Sequence, residues 1–391
     1  VRDTRQNLAM NYISLGYYRP LDTLSPQIHR VCFYGVGGSP IADSWRVYDL
    51  KNPMSVRDTL LLPAVSYVGI DATDRQNGTP NKLAVEEYRV LLDGEVVFDF
   101  KVGDMPFDKG RYIKSLIEYR ESRRGGRDMV KSRVDPGNML ADKIVSRGDG
   151  TLRLSDDKVH LVRVEVVDEH GNKSAVGYRV RRDAALAAPP RDSAFSWVPC
   201  LWYTPNVVSE GSMTFMLPGG ALYNSVNLPY RKVSGPVPSR GVVSDVWQVG
   251  SPDIPLHVPG ELEIQAQVPQ GLEDKCYMAN YGSRLTRSGV RVRFGTYCVA
   301  LDTVAPTIRF LGKNGRVVED GVIRIRVQDA ASGVGSTRVE IDGRWYLSMF
   351  KRDIVTVELK ENRIDSGRHT LRIEAADNCG NIAHEEKSFT F

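Results

Sequence analysis

The sequence lacks any long uncharged apolar run of the kind that crosses a membrane as a helix, and it has few stretches with helical spacing. Cys32, Cys200, Cys276, Cys298 and Cys379 stand at wide, irregular spacing that contains no C-x-x-C and no zinc-ribbon pattern. The odd count leaves at least one thiol unpaired. Buried free thiols are the expected state, because unpaired cysteine is among the most buried residue types. Cys276 and Cys298 are the pair that could bridge neighbouring strands in an oxidising compartment. The six histidines form no H-x-H, H-E-x-x-H or H-x-x-x-D arrangement, and a G-x-S-x-G nucleophile elbow is also missing. No glycine-rich loop precedes a helix to cradle phosphate. The chain reads as non-catalytic.

What is present points to β-structure. The 391 residues, 41% hydrophobic, suffice for several packed domains, and 35 Gly and 21 Pro favour short strands joined by tight turns. A net charge of +4, with acids and bases interspersed, gives no nucleic-acid footprint. There is no initiator Met and no signal-peptide pattern at Val1, so the chain is expected to begin inside a longer protein.

One stretch occurs twice. HLVRVEVVDEHGN at 160–172 returns as HTLRIEAADNCGN at 369–381, with His160, Arg163, Glu165, Asp168, Gly171 and Asn172 matching His369, Arg372, Glu374, Asp377, Gly380 and Asn381. Val162, Val164 and Val166 alternate with charged residues, the period of a strand with one buried face. The D-x-x-G-N ending supplies turn chemistry, and a second strand follows each copy. The opener DTLSPQI at 22–28 has its echo in DTVAPTI at 302–308, and Pro there is expected to lead into an edge strand. VLLDG at 90–94 answers VEIDG at 339–343, with D-G marking a tight hairpin. Asp71 answers Asp329 more loosely.

Four landmarks in one order predict an all-β protein with tandem immunoglobulin-like β-sandwich domains. The boundaries are a lead-in at 1–21, a first sandwich at 22–183, a middle β domain at 184–301 and a last sandwich at 302–391. The first sandwich carries an insertion at about 101–156. There Tyr112, Ile113, Leu116, Ile117 and Tyr119 predict a short amphipathic helix, with Asp108 placed as a cap. A basic run follows, Arg120, Arg123, Arg124 and Arg127, then Lys131 and Arg133. Its plain reading is a solvated loop, and its sharper one an interaction surface for an acidic partner or glycan. Trp197, Trp202 and Tyr203 read first as core or domain-contact aromatics, and alternatively as a sugar platform.

Asp71, Asp74, Asp168, Asp329 and Asp377 sit where they could gather Ca²⁺ at a loop end. Turn chemistry accounts for them without an ion, and no EF-hand-like ligand series exists, so no cofactor is expected in this chain.

The order of PLDTLSPQIHRVCFY, LLDGEVVFDF, MPFDKGRYIKSLIEY, VDPGNML, VVDEHGNKS, LPGGALY, FGTYCVALDTVAPTI and EIDGRWYLSMF resembles the C-terminal, non-catalytic region of Bacteroidetes-type lysostaphin-like zinc metallopeptidases. That resemblance implies a catalytic domain upstream of Val1, with Val1-Arg2 the end of its last zinc-ligand strand. Zinc belongs to that domain alone. It further implies a cell-envelope location, in the periplasm or at the outer membrane. The expected role is to position a peptidase or pseudopeptidase on peptidoglycan or an envelope protein partner. Two alternatives stand beside it. One is a structural subunit of an outer-membrane complex with an inert peptidase part. The other is a carbohydrate-binding or adhesion module.

Overall fold

A computed structural model describes the chain except residues 1, 4, 6, 11–20, 38–40, 42, 126, 313–316 and 360–363. Val1 and most of the lead-in therefore lie outside the described residues. The chain is nearly all β, and it divides into two compact units. The first holds 1–206, 217–229 and 251–259; the second holds 207–216, 230–250 and 260–391.

The last sandwich, in the second unit, shows the architecture most plainly. One sheet orders Thr307–Phe310, Val322–Gln328, Ile354–Glu358 and Met349–Lys351. The other orders Arg344–Tyr346, Val334–Ile341, Arg368–Asp377 and Ile382–Thr390. This is the A-B-E-D sheet against a C′-C-F-G sheet of an immunoglobulin-like fold. Ile323, Ile325, Val327, Val339, Ile341, Leu371 and Ile373 alternate along their strands and meet in one core.

The first sandwich repeats the frame with additions. Glu87–Leu92, Glu95–Lys101, Val159–Val167 and Lys173–Arg182 form its C-C′-F-G side, and Gln27–Val36 with Val65–Thr73 form the centre of the other. The duplicated strand pairs with its successor from Val159↔Arg181 to Val167↔Lys173, as Arg368↔Thr390 to Ala376↔Ile382 do in the last sandwich. Asp93 and Asp342 take φ of 52° and 51°, and the glycines after them 89° and 75°. Left-handed backbone at both positions is the hairpin geometry expected of D-G.

Two expectations change. Gln27–Val36 is an interior strand, paired with Val65–Thr73 on one side and with Ser44–Leu50 on the other. Only Thr307–Phe310 is the edge strand its opener suggested. The helix in the insertion is broken in two, Ile113–Leu116 and Tyr119–Gly125. Ile117 turns extended (φ −98°, ψ 153°) and bridges Val130, while the Glu118 amide donates to the Met129 carbonyl. Strand-like pairing at these two residues outcompetes continuation of the helix. Asp108 caps nothing, since the helical turn opens at Lys109 with no side-chain cap.

The thiols keep the expected free state, and the alternative bridge is not formed. All five cysteines are free. Cys276 and Cys298 lie on adjacent strands, but Ala279 is the residue opposite Cys298, and Leu301 is opposite Cys276. An offset of three residues is roughly 10 Å along a strand, beyond disulfide reach. Burial pushes the Cys32 thiol up to about 12 and those of Cys200 and Cys298 to about 11, so they are inert.

The region between the sandwiches contributes to both units. In the second, Tyr230 pairs with Val249, Val246–Val249 pairs with Gly295–Leu301, and Cys276–Tyr281 continues the sheet. Met213–Leu217 pairs with Gly260–Ile264, close to the strands expected there.

Candidate functional site

The strand register places three carboxylates at matching positions of the two sandwiches. Gln27 lies opposite Thr73, and Thr307 opposite Gln328, so the residues that follow those strand ends correspond. They are Asp74 and Asp329. Asp71, the sequence-level match for Asp329, instead lies inside its strand, buried and bonded to Arg127 at 3.2 Å. The openers supply Asp22 and Asp302, and the D-x-x-G-N turns supply Asp168 and Asp377.

Asp168 and Asp377 do identical work. Each Oδ1 accepts from the backbone amides two and four residues on at 2.8 Å, and each Oδ2 accepts from the turn asparagine at 2.7 Å. That asparagine also donates to the carbonyl of Asp22 or Asp302, tying opener to turn.

The two nodes differ in the third carboxylate. In the last sandwich the short loop after Asp329 folds into the node. Ala331 and Gly333 amides donate to Asp329 Oδ1, and Ser332 donates to Asp302 Oδ2 at 2.9 Å. Burial raises the Asp329 pKa against those bonds, and the charges of Asp302 and Asp377 push the same way. In the first sandwich the loop runs from Asp74 to its partner Leu83 and does not enter the node with donors of this kind. Asp22 Oδ2, Asp74 Oδ1 and His170 Nε2 are buried without a partner. Burial lifts Asp74 to about 6; its bond from the Arg75 amide opposes this, and the charges of Asp168 and Asp22 add to it. Sequence reasoning passed over Asp22, Asp302 and His170, although the repeated D-T-x-x-P opener already contained the first two.

His160 and His369 prove to be hairpin fasteners. His160 meets Asp93 at 2.6 Å through Nδ1 and Asp156 at 3.0 Å through Nε2. His369 meets Asp342 at 2.7 Å and the Asp365 carbonyl at 2.9 Å. Both imidazoles are raised, first by the bond to the hairpin aspartate.

The basic run is largely engaged within its own unit. Arg120 and Arg124 reach Asp253 at 3.5 and 2.7 Å, Arg127 reaches Asp71, and Lys131 reaches Asp135 at 2.8 Å. Glu121, on the same helix, binds Arg30 and Arg46 at 3.0 Å each. Arg123 is exposed on that helix. Trp197 packs beside Phe195 under Arg191, whereas Trp202 meets Tyr203 edge-on. The ring contacts thus put the two tryptophans in separate groups.

A surface missed by sequence reasoning lies on the last sandwich. Trp345, Leu347, Met349 and Phe350 are 57, 63, 67 and 42% exposed, on and between the edge strands Arg344–Tyr346 and Met349–Lys351. The run R-W-Y-L-S-M-F after a hairpin D-G was its only signal. In the first unit, a cavity of about 510 Å³ is lined by Val36, Trp45, Pro63, Val65, Arg182 and Leu186 among others. Its two charged lining residues are Arg182, held by Asp157 at 2.9 Å, and Asp183.

The fold defines tandem immunoglobulin-like sandwiches. Within the chain, residues 199–313 match the family model of the Zu5-like domain. No curated protein matches the sequence. Among solved structures, a Bacteroides ovatus mixed-linkage glucan utilization locus protein, SGBP-B, is 12% identical with TM-score 0.17, covering 95% of this chain and 71% of that one. The central fibronectin-III array of RIM-binding protein is 13% identical with TM-score 0.18, covering 86% and 94%. A Ca²⁺-stabilized adhesin of an Antarctic bacterium is 11% identical with TM-score 0.16, covering 93% and 90%. Values this low carry no argument about binding or activity.

Proposed function

We propose that the chain is a non-catalytic β-sandwich scaffold of a cell-envelope protein, positioning an upstream lysostaphin-type peptidase or pseudopeptidase domain. The upstream domain and the envelope location rest on the sequence resemblance. The scaffold role is supported by the twin sandwiches, in which His160 and His369 fasten hairpins and Asp168 and Asp377 close turns. The observation that carries the interaction role is the exposed apolar edge of Trp345, Leu347, Met349 and Phe350. Four large apolar side chains on adjoining edge strands favour a protein partner over a glycan strand.

Pull-down from envelope extracts with the purified chain tests this reading, alongside incubation with peptidoglycan. The expected result is a stoichiometric envelope protein, lost when Trp345→Ala and Met349→Ser are combined, and no peptidoglycan release. Hydrolysis abolished by a chelator, or capture indifferent to the double substitution, would overturn it. A partner embedded in the outer membrane would favour the structural-subunit version.

A further inference from the structure

We infer that the first sandwich holds a divalent cation of the calcium type at the cluster of Asp22, Asp168 and His170, with Asp74 as a further carboxylate, while the last sandwich has replaced that ion with backbone donors. Ligand atoms of Asp22, Asp168 and His170 lie within 4.8 Å of one another, and those of Asp302, Asp329 and Asp377 do the same. Proximity of acids is not enough to make a site. What distinguishes the first node is its orphaned oxygens. Asp22 is 7% exposed and its Oδ2 accepts no hydrogen bond, facing His170 Nδ1 from 3.9 Å, beyond hydrogen-bond reach. Asp74 is 5% exposed and its Oδ1 is also without a partner. Buried anionic oxygens persist only when something compensates them.

The equivalent oxygens of the last sandwich are compensated by the Ala331, Ser332 and Gly333 amides. The first sandwich has no such inward-folded loop, because Asp74 closes onto Leu83 and the segment between bonds elsewhere, Asn77 donating to Thr23. A hard cation supplies the missing positive charge, and a carboxylate-rich set with carbonyls nearby suits Ca²⁺. His170, matched by Cys379 in the last sandwich, belongs to the same cluster, and its buried Nε2 is also without a partner.

The test uses the full 391-residue chain after chelator treatment. Titrations with CaCl₂, MgCl₂ and ZnCl₂ are followed by calorimetry and by thermal unfolding. Saturable Ca²⁺ binding that raises the unfolding temperature is expected, weakened about tenfold or more by Asp22→Asn and by Asp74→Asn. Asp329→Asn leaves Ca²⁺ affinity unchanged. Circular dichroism confirms that each variant is folded, and Asp22→Asn alone suffices should Asp74→Asn fail to fold. Absence of Ca²⁺ binding, binding indifferent to Asp22→Asn, or Zn²⁺ binding alone would overturn the assignment.

Discussion

The two sandwiches are one frame with two ways of filling the same corner. In the last sandwich Asp302, Asp329 and Asp377 gather at that corner; in the first, Asp22 and Asp168 gather with His170, and Asp74 holds the register position that matches Asp329. The last sandwich has a short loop after Asp329, and its amides satisfy the acids. The first has a longer loop there, and buried oxygens remain without donors. Loop length, rather than the identity of the acids, thus decides whether the corner is self-sufficient or needs a cation.

The largest test of the common frame is in the core. Ile70 and Ile325 each stand three residues before the matching strand ends Thr73 and Gln328, and each is fully buried. Truncating either to Ala is expected to cost about 2–5 kcal/mol in denaturant unfolding, by loss of apolar burial and the cavity left behind. A cost below about 1 kcal/mol at only one of them would break the proposed correspondence between the strands.

The turn aspartates come next. Asp168→Ala and Asp377→Ala each remove a carboxylate that accepts three bonds, two of them from backbone amides. A loss of about 1.5–3 kcal/mol is expected for each in chelator, since bonds to a charged acceptor are the stronger kind. With Ca²⁺ present the two should separate, Asp168→Ala losing more because it also removes a ligand. Equal losses with and without Ca²⁺ would return both corners to plain turn chemistry.

These correspondences were unequally legible in the sequence. The duplicated strand was plain because Val162, Val164 and Val166 repeat the alternation of Leu371, Ile373 and Ala375, and period two survives substitution among apolar residues. The hairpins were plain because D-G demands positive φ. The third acid was misread because Asp71 ends a V-G-I-D run resembling the approach to Asp329. The strand in fact continues through Ala72 and Thr73. A register shift between Ile28 and Arg30 then offsets the neighbouring strand, a bulge that local pattern does not announce. The helix break at Ile117 was hidden for a similar reason, since its cause is pairing with distant Val130. The apolar edge around Trp345 was overlooked because strand-like composition says nothing about which face is covered.

The smallest expected effect separates the two histidine fasteners. Both imidazoles have raised pKa values, chiefly from Asp93 and Asp342 respectively, so the folded state holds its proton more tightly than the unfolded chain. That contribution is fully present below the ordinary histidine value of about 6.5 and disappears as pH rises through the raised folded value. The fasteners are not equal, however. His160 faces two carboxylates, Asp93 and Asp156, whereas His369 faces one carboxylate and the Asp365 carbonyl. Stability measured from pH 6 to 9 should therefore fall less steeply in His160→Gln than in wild type, with a weaker flattening in His369→Gln. A greater change from His369→Gln would mean that the carbonyl holds the proton better than a second, half-exposed carboxylate. The difference between the fasteners would then lie in solvent screening rather than in charge.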